Sequence, residues 1–398
     1  MLKANIAGVP HAYEITERRA GHEVKDHKAK DHRARDHKAK DKTEPQTLVF
    51  VHGWMLSQAY WQPLVDLLST QNRCLTYDLR GFGESTSPDP LPSSLEQARE
   101  IALPLGRSLP NQRSTQDLAA TNGATANNTV ANGTMANGTM ANGTMANSQA
   151  LATNGAAKTE AFETEAFETE TSKPETPKSE TPKMYKASTY SLAAYAQDLG
   201  ALLDELGIEQ AWLIGHSLGG SIVLWAAYLL PERVKGVICI NAGGGIYIPK
   251  EFDKFRSAGQ QMVKYRPAWL QQLPLLPNVF ARMMVHQPLA LHWGAQRIRD
   301  FVRADHQAAV GTLLETTSAE EVHLLPQVVS QITQPAHFIT ATEDTVMLPR
   351  YVHHLASFHP HFSEARSLFE IAECGHMAMV EQPRAVADVV RTILSNYQ

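Results

Sequence analysis

The residues Gly215-His216-Ser217-Leu218-Gly219-Gly220 decide the fold, because they stand between two strongly apolar segments. Residues 210–214 form a short apolar run that predicts a buried strand, and residues 221–230 predict an apolar helix. Glycines two positions before and after Ser217 indicate a strand-to-helix turn that is too tight for larger side chains. Such a turn lifts the serine hydroxyl above the sheet, which favours a nucleophilic serine over a phosphate-binding loop with its different glycine spacing.

Strand and helix patterns alternate along the chain on both sides of this turn. Apolar runs predict strands at residues 9–15, 47–51, 73–77, 210–214, 234–240 and 337–341, and helical patterns cover residues 60–68, 191–206, 221–230 and 383–397. Strands that are apolar throughout, without polar alternation, are typical of a sheet buried on both faces. The predicted fold class is therefore α/β, with a mostly parallel sheet covered by helices on both faces.

Two low-complexity tracts interrupt this alternation. Residues 26–40 repeat an Asp-His-Lys-Ala-Lys unit with minor changes, and residues 131–145 repeat Ala-Asn-Gly-Thr-Met three times. A period of five matches neither a helix face nor a strand face, and such a composition buries too little apolar surface to offset its ordering entropy. We therefore expect two disordered loops, at about residues 25–42 and 89–186, inserted into an ordinary α/β domain.

The strand–helix rhythm also stops between residues 246 and 330. This interval holds aromatic residues and methionines in helix-compatible segments that are separated by prolines. We expect a helical cap at residues 246–330 and an α/β core built from residues 1–245 and 331–398. Methionine and aromatic side chains adapt to varied shapes, so part of this set is suited to lining an apolar substrate cavity.

Composition excludes several classes of function. The 398 residues carry a formal net charge of only −5 and show no basic–aromatic pattern outside one short tract, so no nucleic-acid partner is expected. The three cysteines lie far apart without metal-ligand spacing, so we expect free thiols, no metal and no cofactor. The N-terminus lacks the apolar core of a signal peptide, and the longest apolar run, residues 222–230, is too short to span a bilayer. A cytoplasmic location without a transmembrane segment is expected, and the oligomeric state stays open.

Four motifs resemble, in their order along the chain, those of the α/β-hydrolase family. His52-Gly53-Trp54 ends an apolar strand, residues 78–85 follow the next strand, residues 215–219 form the serine turn, and Gly375-His376 precedes Glu381-Gln382-Pro383. The resemblance covers nearly everything outside the two low-complexity tracts. It implies an α/β-hydrolase fold in which a helical cap is inserted late in the sheet, over the active site.

The resemblance also implies a catalytic triad and an oxyanion hole. Ser217 is then the nucleophile that attacks an acyl carbonyl, His376 the base that accepts its proton, and Asp344 the acid that orients the imidazole. The backbone N–H groups of Trp54 and Leu218 are expected to bind the developing oxyanion.

Asp344 is assigned because the family places its acid after the strand that follows the cap. Family members often carry glycine three residues before the acid, where this chain has Ala341. Glu343 is the neighbouring competitor for the same role. The other position that the family uses falls at residues 241–243, which contain no carboxylate.

Three functions fit these residues. The first is an esterase or acyl hydrolase that acts on a small, fairly apolar ester or thioester through an acyl-enzyme. The second keeps the triad for another reaction: carbon–carbon bond hydrolysis, peracid formation, or elimination as in the menaquinone pathway, whose enzymes usually have arginine where this chain has Ser221. The third is a ligand receptor without catalysis, since a fold alone does not prove a function. In all three the expected partner is a small, largely apolar molecule.

Overall fold

The strands of the protein are short. In chain order they are β1 (Leu2–Ile6), β2 (Val9–Thr16), β3 (Thr47–Val51), β4 (Arg73–Tyr77), β5 (Arg99–Ala102), β6 (Met184–Ala187), β7 (Ala211–His216), β8 (Val234–Ile240), β9 (Ala336–Ala341) and β10 (Leu368–Ile371). Of these, β3, β4, β7, β8 and β9 are mostly buried. Eight of them form one sheet in the order β1-β2-β4-β3-β7-β8-β9-β10. The β1–β2 and β2–β4 pairs are antiparallel, and the other neighbouring pairs are parallel.

Helices follow most of the strands and fill the interval between β8 and β9. They are α1 (Gln62–Leu68), α2 (Leu192–Glu205), α3 (Leu218–Leu229), α4 (Pro249–Lys264), α5 (Leu276–Phe280), α6 (Leu291–Arg303), α7 (His306–Thr316), α8 (Ala319–Val329), α9 (Pro349–Ala356), α10 (Glu364–Ser367), α11 (Ala378–Glu381) and α12 (Pro383–Ser395). Two 3₁₀ turns, Gln58–Trp61 and Ala268–Gln272, lie among them. We refer to residues 249–329, from α4 to α8, as the helical segment.

The core lies on both faces of the sheet because successive strand side chains point in opposite directions. On β3, Leu48 and Phe50 join an apolar cluster with α1, α11 and α12, whereas Val49 and Val51 join a second cluster with α2 and α3. Both faces of one strand are therefore covered by helices. The predicted fold class, a mostly parallel sheet between two helical layers, is confirmed.

The computed structural model describes residues 1–18, 45–85, 99–102, 184–244 and 249–397. The tract expected at residues 25–42 lies wholly outside the described residues, and so does most of the tract expected at 89–186. Two segments within the second tract differ from expectation, because β5 and β6 pair antiparallel, with Ala102 opposite Met184. Their short strand pattern is hidden in the sequence by the polar, repetitive residues that surround it.

The carboxyl ends of β3, β7, β8, β9 and β10 meet at one edge of the sheet because these five strands run parallel. The loops that follow them carry, in the same order, Trp54, Ser217, Asn241, Asp344 and His376. Ligands of open α/β sheets bind outside this edge of the strands. The topology thus brings together every residue to which the sequence assigned a catalytic role.

Candidate active site

Ser217 occupies a strained turn between β7 and α3. Its φ of 52° and ψ of −118° lie in a region that side chains rarely adopt, and its N–H is held by the carbonyl of Ile240 at 3.0 Å. A Cβ at Gly215 would lie 2.2 Å from the carbonyl oxygen of Gly219, and one at Gly219 would lie 2.1 Å from that of Val51. The two glycines are therefore required by close backbone approach, as the sequence pattern predicts.

His376 and Asp344 are in direct contact. The Nδ1 atom of His376 lies 2.7 Å from Oδ2 of Asp344, and both side chains are almost completely buried. The other carboxylate oxygen of Asp344 accepts hydrogen bonds from the N–H groups of Val346 and Met347, each at 2.8 Å. Because Nδ1 is engaged with the carboxylate, Nε2 is the imidazole nitrogen that remains for proton transfer. The neighbouring Glu343 is exposed and does not take this position.

Three residues that were not assigned a role from the sequence fix the backbone of His376. The carbonyl oxygen of His376 accepts a hydrogen bond from Nδ2 of Asn241 at 2.9 Å and lies 2.8 Å from Nε2 of His216. Its N–H donates to the carbonyl of Met284, in the helical segment, at 2.9 Å. Asn241 also accepts a hydrogen bond from the N–H of Ala341 and so joins β8, β9 and the histidine loop.

The histidine loop is tied to the helical segment a second time through Glu381. One carboxylate oxygen of Glu381 accepts the N–H groups of His286 and Gln287 at 3.0 and 2.8 Å, and the other accepts the N–H of Gly375 at 3.0 Å. The Glu381-Gln382-Pro383 motif therefore supports the histidine loop through hydrogen bonds to backbone amides.

The backbone N–H groups of Trp54 and Leu218 have no backbone acceptor among the described residues. Leu218 is the first residue of α3, so its N–H has no acceptor within the helix, and no described carbonyl takes the N–H of Trp54. The next residue, Met55, has a φ of 54°, which bends the loop at this point. The indole of Trp54 donates to the carbonyl of Ala309 at 3.0 Å, which anchors the loop to α7.

The side chain of His52 stabilises this loop through contacts of both ring nitrogens with backbone atoms. One ring nitrogen, Nδ1, lies 2.8 Å from the carbonyl oxygen of Gly53, and the other accepts the N–H of Leu79 at 2.9 Å. Complete burial lowers the pKa of His52, so the ring is a neutral structural member that donates at one nitrogen and accepts at the other. Its neighbour Asp78 accepts the N–H groups of Gln58 and Glu84 and stabilises the turn of residues 78–85.

A cavity of about 180 Å³ opens between the serine turn and the helical segment. Ser217, His376 and Trp54 line it from the core. From the helical segment it is lined by Met262, Phe280, Met283, Met284, Arg297 and Phe301. No hydrogen bond joins Ser217 to His376 in the described structure, but both reach this cavity, and such contacts are often long before a substrate binds.

The thiol of Cys374 lies close to the candidate site but is a poor nucleophile. Burial raises the pKa of the Cys374 thiol, two residues from His376, to about 12, so the sulfur stays protonated and weakly nucleophilic. The described part of the chain holds no cluster of acidic, histidine and cysteine side chains that would bind a metal ion. Among the same residues, none of the helices combines the length and the apolar character that crossing a membrane requires.

Comparison with known proteins agrees with the fold. Residues 169–383 match the model of the alpha/beta hydrolase fold, and residues 48–119 match that of the alpha/beta hydrolase family. An uncharacterized protein of Mycobacterium tuberculosis, Rv2715, is 28% identical over 217 residues, which are 51% of this chain and 61% of that protein. The pimeloyl-[acyl-carrier protein] methyl ester esterase of Aliivibrio salmonicida is 39% identical over 79 residues, 18% of this chain and 30% of the esterase.

Solved structures share the fold at low sequence identity. The enol-lactonase of Burkholderia xenovorans LB400 aligns over 99% of this chain and 100% of its own, with a TM-score of 0.53 and 15% identity. At that identity the likeness concerns the fold alone. Because the family model covers more than half of the 398 residues and the sheet, turn and loops agree with it, the chain belongs to the α/β-hydrolase fold family.

Proposed function

We propose that this protein is a serine hydrolase that cleaves a small, largely apolar ester or thioester through an acyl-enzyme on Ser217. The observation that carries the proposal is the shared cavity: a serine on a strained turn and an imidazole bonded to a buried carboxylate line the same apolar space. The esterase of Aliivibrio salmonicida that resembles part of the chain supports ester chemistry as the first choice.

Each step of acyl transfer is assigned to one of these residues. Ser217 Oγ attacks the carbonyl carbon while its proton passes to Nε2 of His376, and Asp344 stabilises the imidazolium that forms. The Trp54 and Leu218 amides bind the oxyanion, and one such donor typically contributes about 3 kcal/mol to transition-state stabilisation. The alcohol or thiol leaves with the proton from His376. Water, deprotonated by the same imidazole, then releases the acid and restores the serine.

Labelling with a fluorophosphonate probe tests the nucleophile. We expect the full-length protein to be labelled and Ser217→Ala to remain unlabelled, because the probe reacts with an activated serine hydroxyl. Ser221→Ala is the matched control, since Ser221 lies one turn further along α3 and should leave labelling intact. Equal labelling of the wild type and Ser217→Ala contradicts the proposal.

Turnover of p-nitrophenyl esters with increasing acyl length tests the reaction. The wild type should hydrolyse short-chain esters, and Ser217→Ala should lose that activity while keeping its melting temperature. A cavity of about 180 Å³ is small, so the rate should fall as the acyl chain outgrows it. A complete lack of turnover across the series, with ligands that raise the melting temperature, would support a receptor instead.

A further inference from the structure

Arg297 is the chemical exception in the candidate active site. It lies on α6, its side chain is only 5% exposed, and it lines the same cavity as Ser217 and His376. The other described side chains around this cavity are mainly methionine, aromatic and aliphatic groups, and none of them carries a permanent charge. A guanidinium therefore faces a space that is otherwise suited to an apolar molecule.

No carboxylate neutralises this guanidinium within the described residues. Arg297 forms no ion pair there, and Asp300, one turn further along α6, accepts hydrogen bonds from Ser57 and Gln296 instead. Nη1 of Arg297 donates to the carbonyls of Phe280 and Met283, at 2.9 and 2.6 Å. Nε and Nη2 have no acceptor in the described structure, so N–H groups remain for a ligand.

The positive charge of Arg297 affects the pKa of a residue in the serine turn. Burial lowers the pKa of His216, the residue before Ser217, and the nearby charges of His376 and Arg297 lower it further. A buried cation without a counter-ion is unfavourable, and removing it from water is compensated best by an anion with matching hydrogen-bond geometry. A planar guanidinium matches a carboxylate, which can accept two of its N–H groups at once.

We infer that Arg297 binds a carboxylate of the substrate, so that the preferred substrate is a short ester or thioester that is apolar in its middle and anionic at one end. This inference rests on the proposed hydrolase function and specifies its substrate class. Arg297 is then a specificity-determining residue, which anchors the end of the substrate that does not react.

Two esters that differ in one group provide the test. The mono-p-nitrophenyl ester of glutaric acid carries a terminal carboxylate, and its glutaramic counterpart carries a neutral primary amide of the same shape. We expect the ratio of kcat/KM, carboxylate ester over amide ester, to exceed one in the wild type. Arg297→Met should lower this ratio on the order of 10- to 100-fold, as expected for the loss of a hydrogen-bonded charge pair.

Two further variants separate binding from folding and from general charge. Arg299→Met removes a positive charge from the exposed side of the same helix and should leave both activity and ratio unchanged. Arg297→Lys keeps the charge but loses the fork of N–H groups, so its ratio should fall between those of the wild type and Arg297→Met. Melting temperatures identify any variant that no longer folds after losing the contacts to Phe280 and Met283.

The outcomes distinguish this inference from the function on which it rests. If the wild type cleaves the amide ester, but Arg297→Met and Arg297→Lys lower both rates equally, the inference is overturned and the hydrolase function stands. If Arg297→Met does not fold, inhibition of the wild type decides: glutarate, but not glutaramide, should compete with the ester substrate, and equal potency overturns the inference. Failure to cleave either ester, together with an unlabelled Ser217, removes the proposed function itself.

Discussion

Asp344 is held by three hydrogen bonds, and each of them uses an oxygen of its carboxylate. Two come from the backbone amides of Val346 and Met347, and the third comes from Nδ1 of His376. In Asp344→Asn the amide nitrogen would face one of these donors, and His376 would lose the acceptor that fixes its tautomer. Such a change leaves the fold in place and removes the base from its working form.

We expect Asp344→Asn to lower kcat for ester hydrolysis about 10³- to 10⁴-fold, because the imidazole adopts the wrong tautomer. Steady-state kinetics on a short p-nitrophenyl ester provide the measurement. Glu343→Gln, a change of the same kind at the exposed neighbouring residue, is the control and should retain activity. Equal losses in the two variants would show that the acid has been assigned to the wrong carboxylate.

Asp300 is a buried carboxyl group with an altered acidity. Burial raises its pKa to about 6 from its ordinary 3.8, although hydrogen bonds from Gln296 and Ser57 act in the opposite direction. Between these two pH values the folded protein binds more protons at this group than the unfolded chain does. The contribution of Asp300 to the free energy of unfolding is therefore largest below pH 3.8 and is lost as the pH rises towards about 6.

We therefore expect Asp300→Asn to flatten part of the pH dependence of stability. Compared with the variant, the wild type should lose melting temperature more steeply as the pH rises from about 4 to about 6. Thermal unfolding measured at half-unit pH intervals checks the difference. Asp388→Asn, on the exposed side of α12, should reproduce the wild-type slope, and parallel curves for the wild type and Asp300→Asn would refute the expected effect.

At the scale of elements, the turn between β7 and α3 depends on contacts with β3. A Cβ at Gly219 would lie 2.1 Å from the carbonyl oxygen of Val51 and 2.7 Å from that of His52. Backbone atoms on β3 cannot move away without breaking the parallel pairing of β3 with β7. The helix start and the central strand therefore fit only if this residue has no side chain.

Gly219→Ala should accordingly destabilise the protein by more than about 4 kcal/mol or prevent folding. The matched variant is Gly207→Ala: Gly207 ends α2 with a φ of +62°, but no atom lies within 4 Å of the position that an added methyl group would take. It should cost only about 1–2 kcal/mol, the strain of a left-handed residue. Urea unfolding of both variants measures the difference, and similar costs would contradict the role of close approach.

Part of the structure of this turn can be predicted from the sequence. The spacing of its glycines predicts Ser217 because the steric requirement is local. The order of the motifs leads to His376, whereas Asp344 follows from where the resembled family places its acid. Helix α3 nevertheless begins at Leu218, whereas helix propensity places its start at residue 221, since the glycines are poor helix formers. Tertiary contacts with β3 and β8 override that preference.

Elements at the edge of the sheet were harder to predict. β1 and β10 have five and four residues, too few for a period to stand out, and both form edge strands.

The hydrogen bond from Asn241 to His376 joins residues 135 positions apart and depends on the parallel order of β8 and β9. A local sequence pattern does not predict such a hydrogen bond, because it forms only when the strands are assembled into the sheet.

At the scale of the whole molecule, the antiparallel pair of β5 and β6 flanks the long low-complexity tract on both sides. Ala102 is paired with Met184, so the two described residues that flank positions 103–183 lie side by side. Closing a shorter loop between paired ends costs little, because loop-closure entropy varies only slowly with loop length. The tract is therefore not needed to bring the flanking strands together.

Replacing residues 103–183 with a short Gly-Ser linker should preserve the melting temperature within a few degrees and the kcat/KM for a short ester within about twofold. Thermal unfolding and steady-state kinetics of the shortened protein check this expectation. A control that also deletes β5 and β6 tests whether the ladder itself is required. Loss of folding in the linker variant would mean that the tract contributes contacts to the α/β unit.

The hydrogen bond from the His376 N–H to the carbonyl of Met284, together with the three backbone amides that donate to Glu381, joins the histidine loop to the helical segment beside the cavity. These hydrogen bonds join residues 284–287 of the helical segment to the loop that carries His376. A displacement of residues 284–287 away from the core would therefore break the hydrogen bond of the His376 N–H. The backbone support of His376 therefore depends on residues 284–287 staying in place over the cavity.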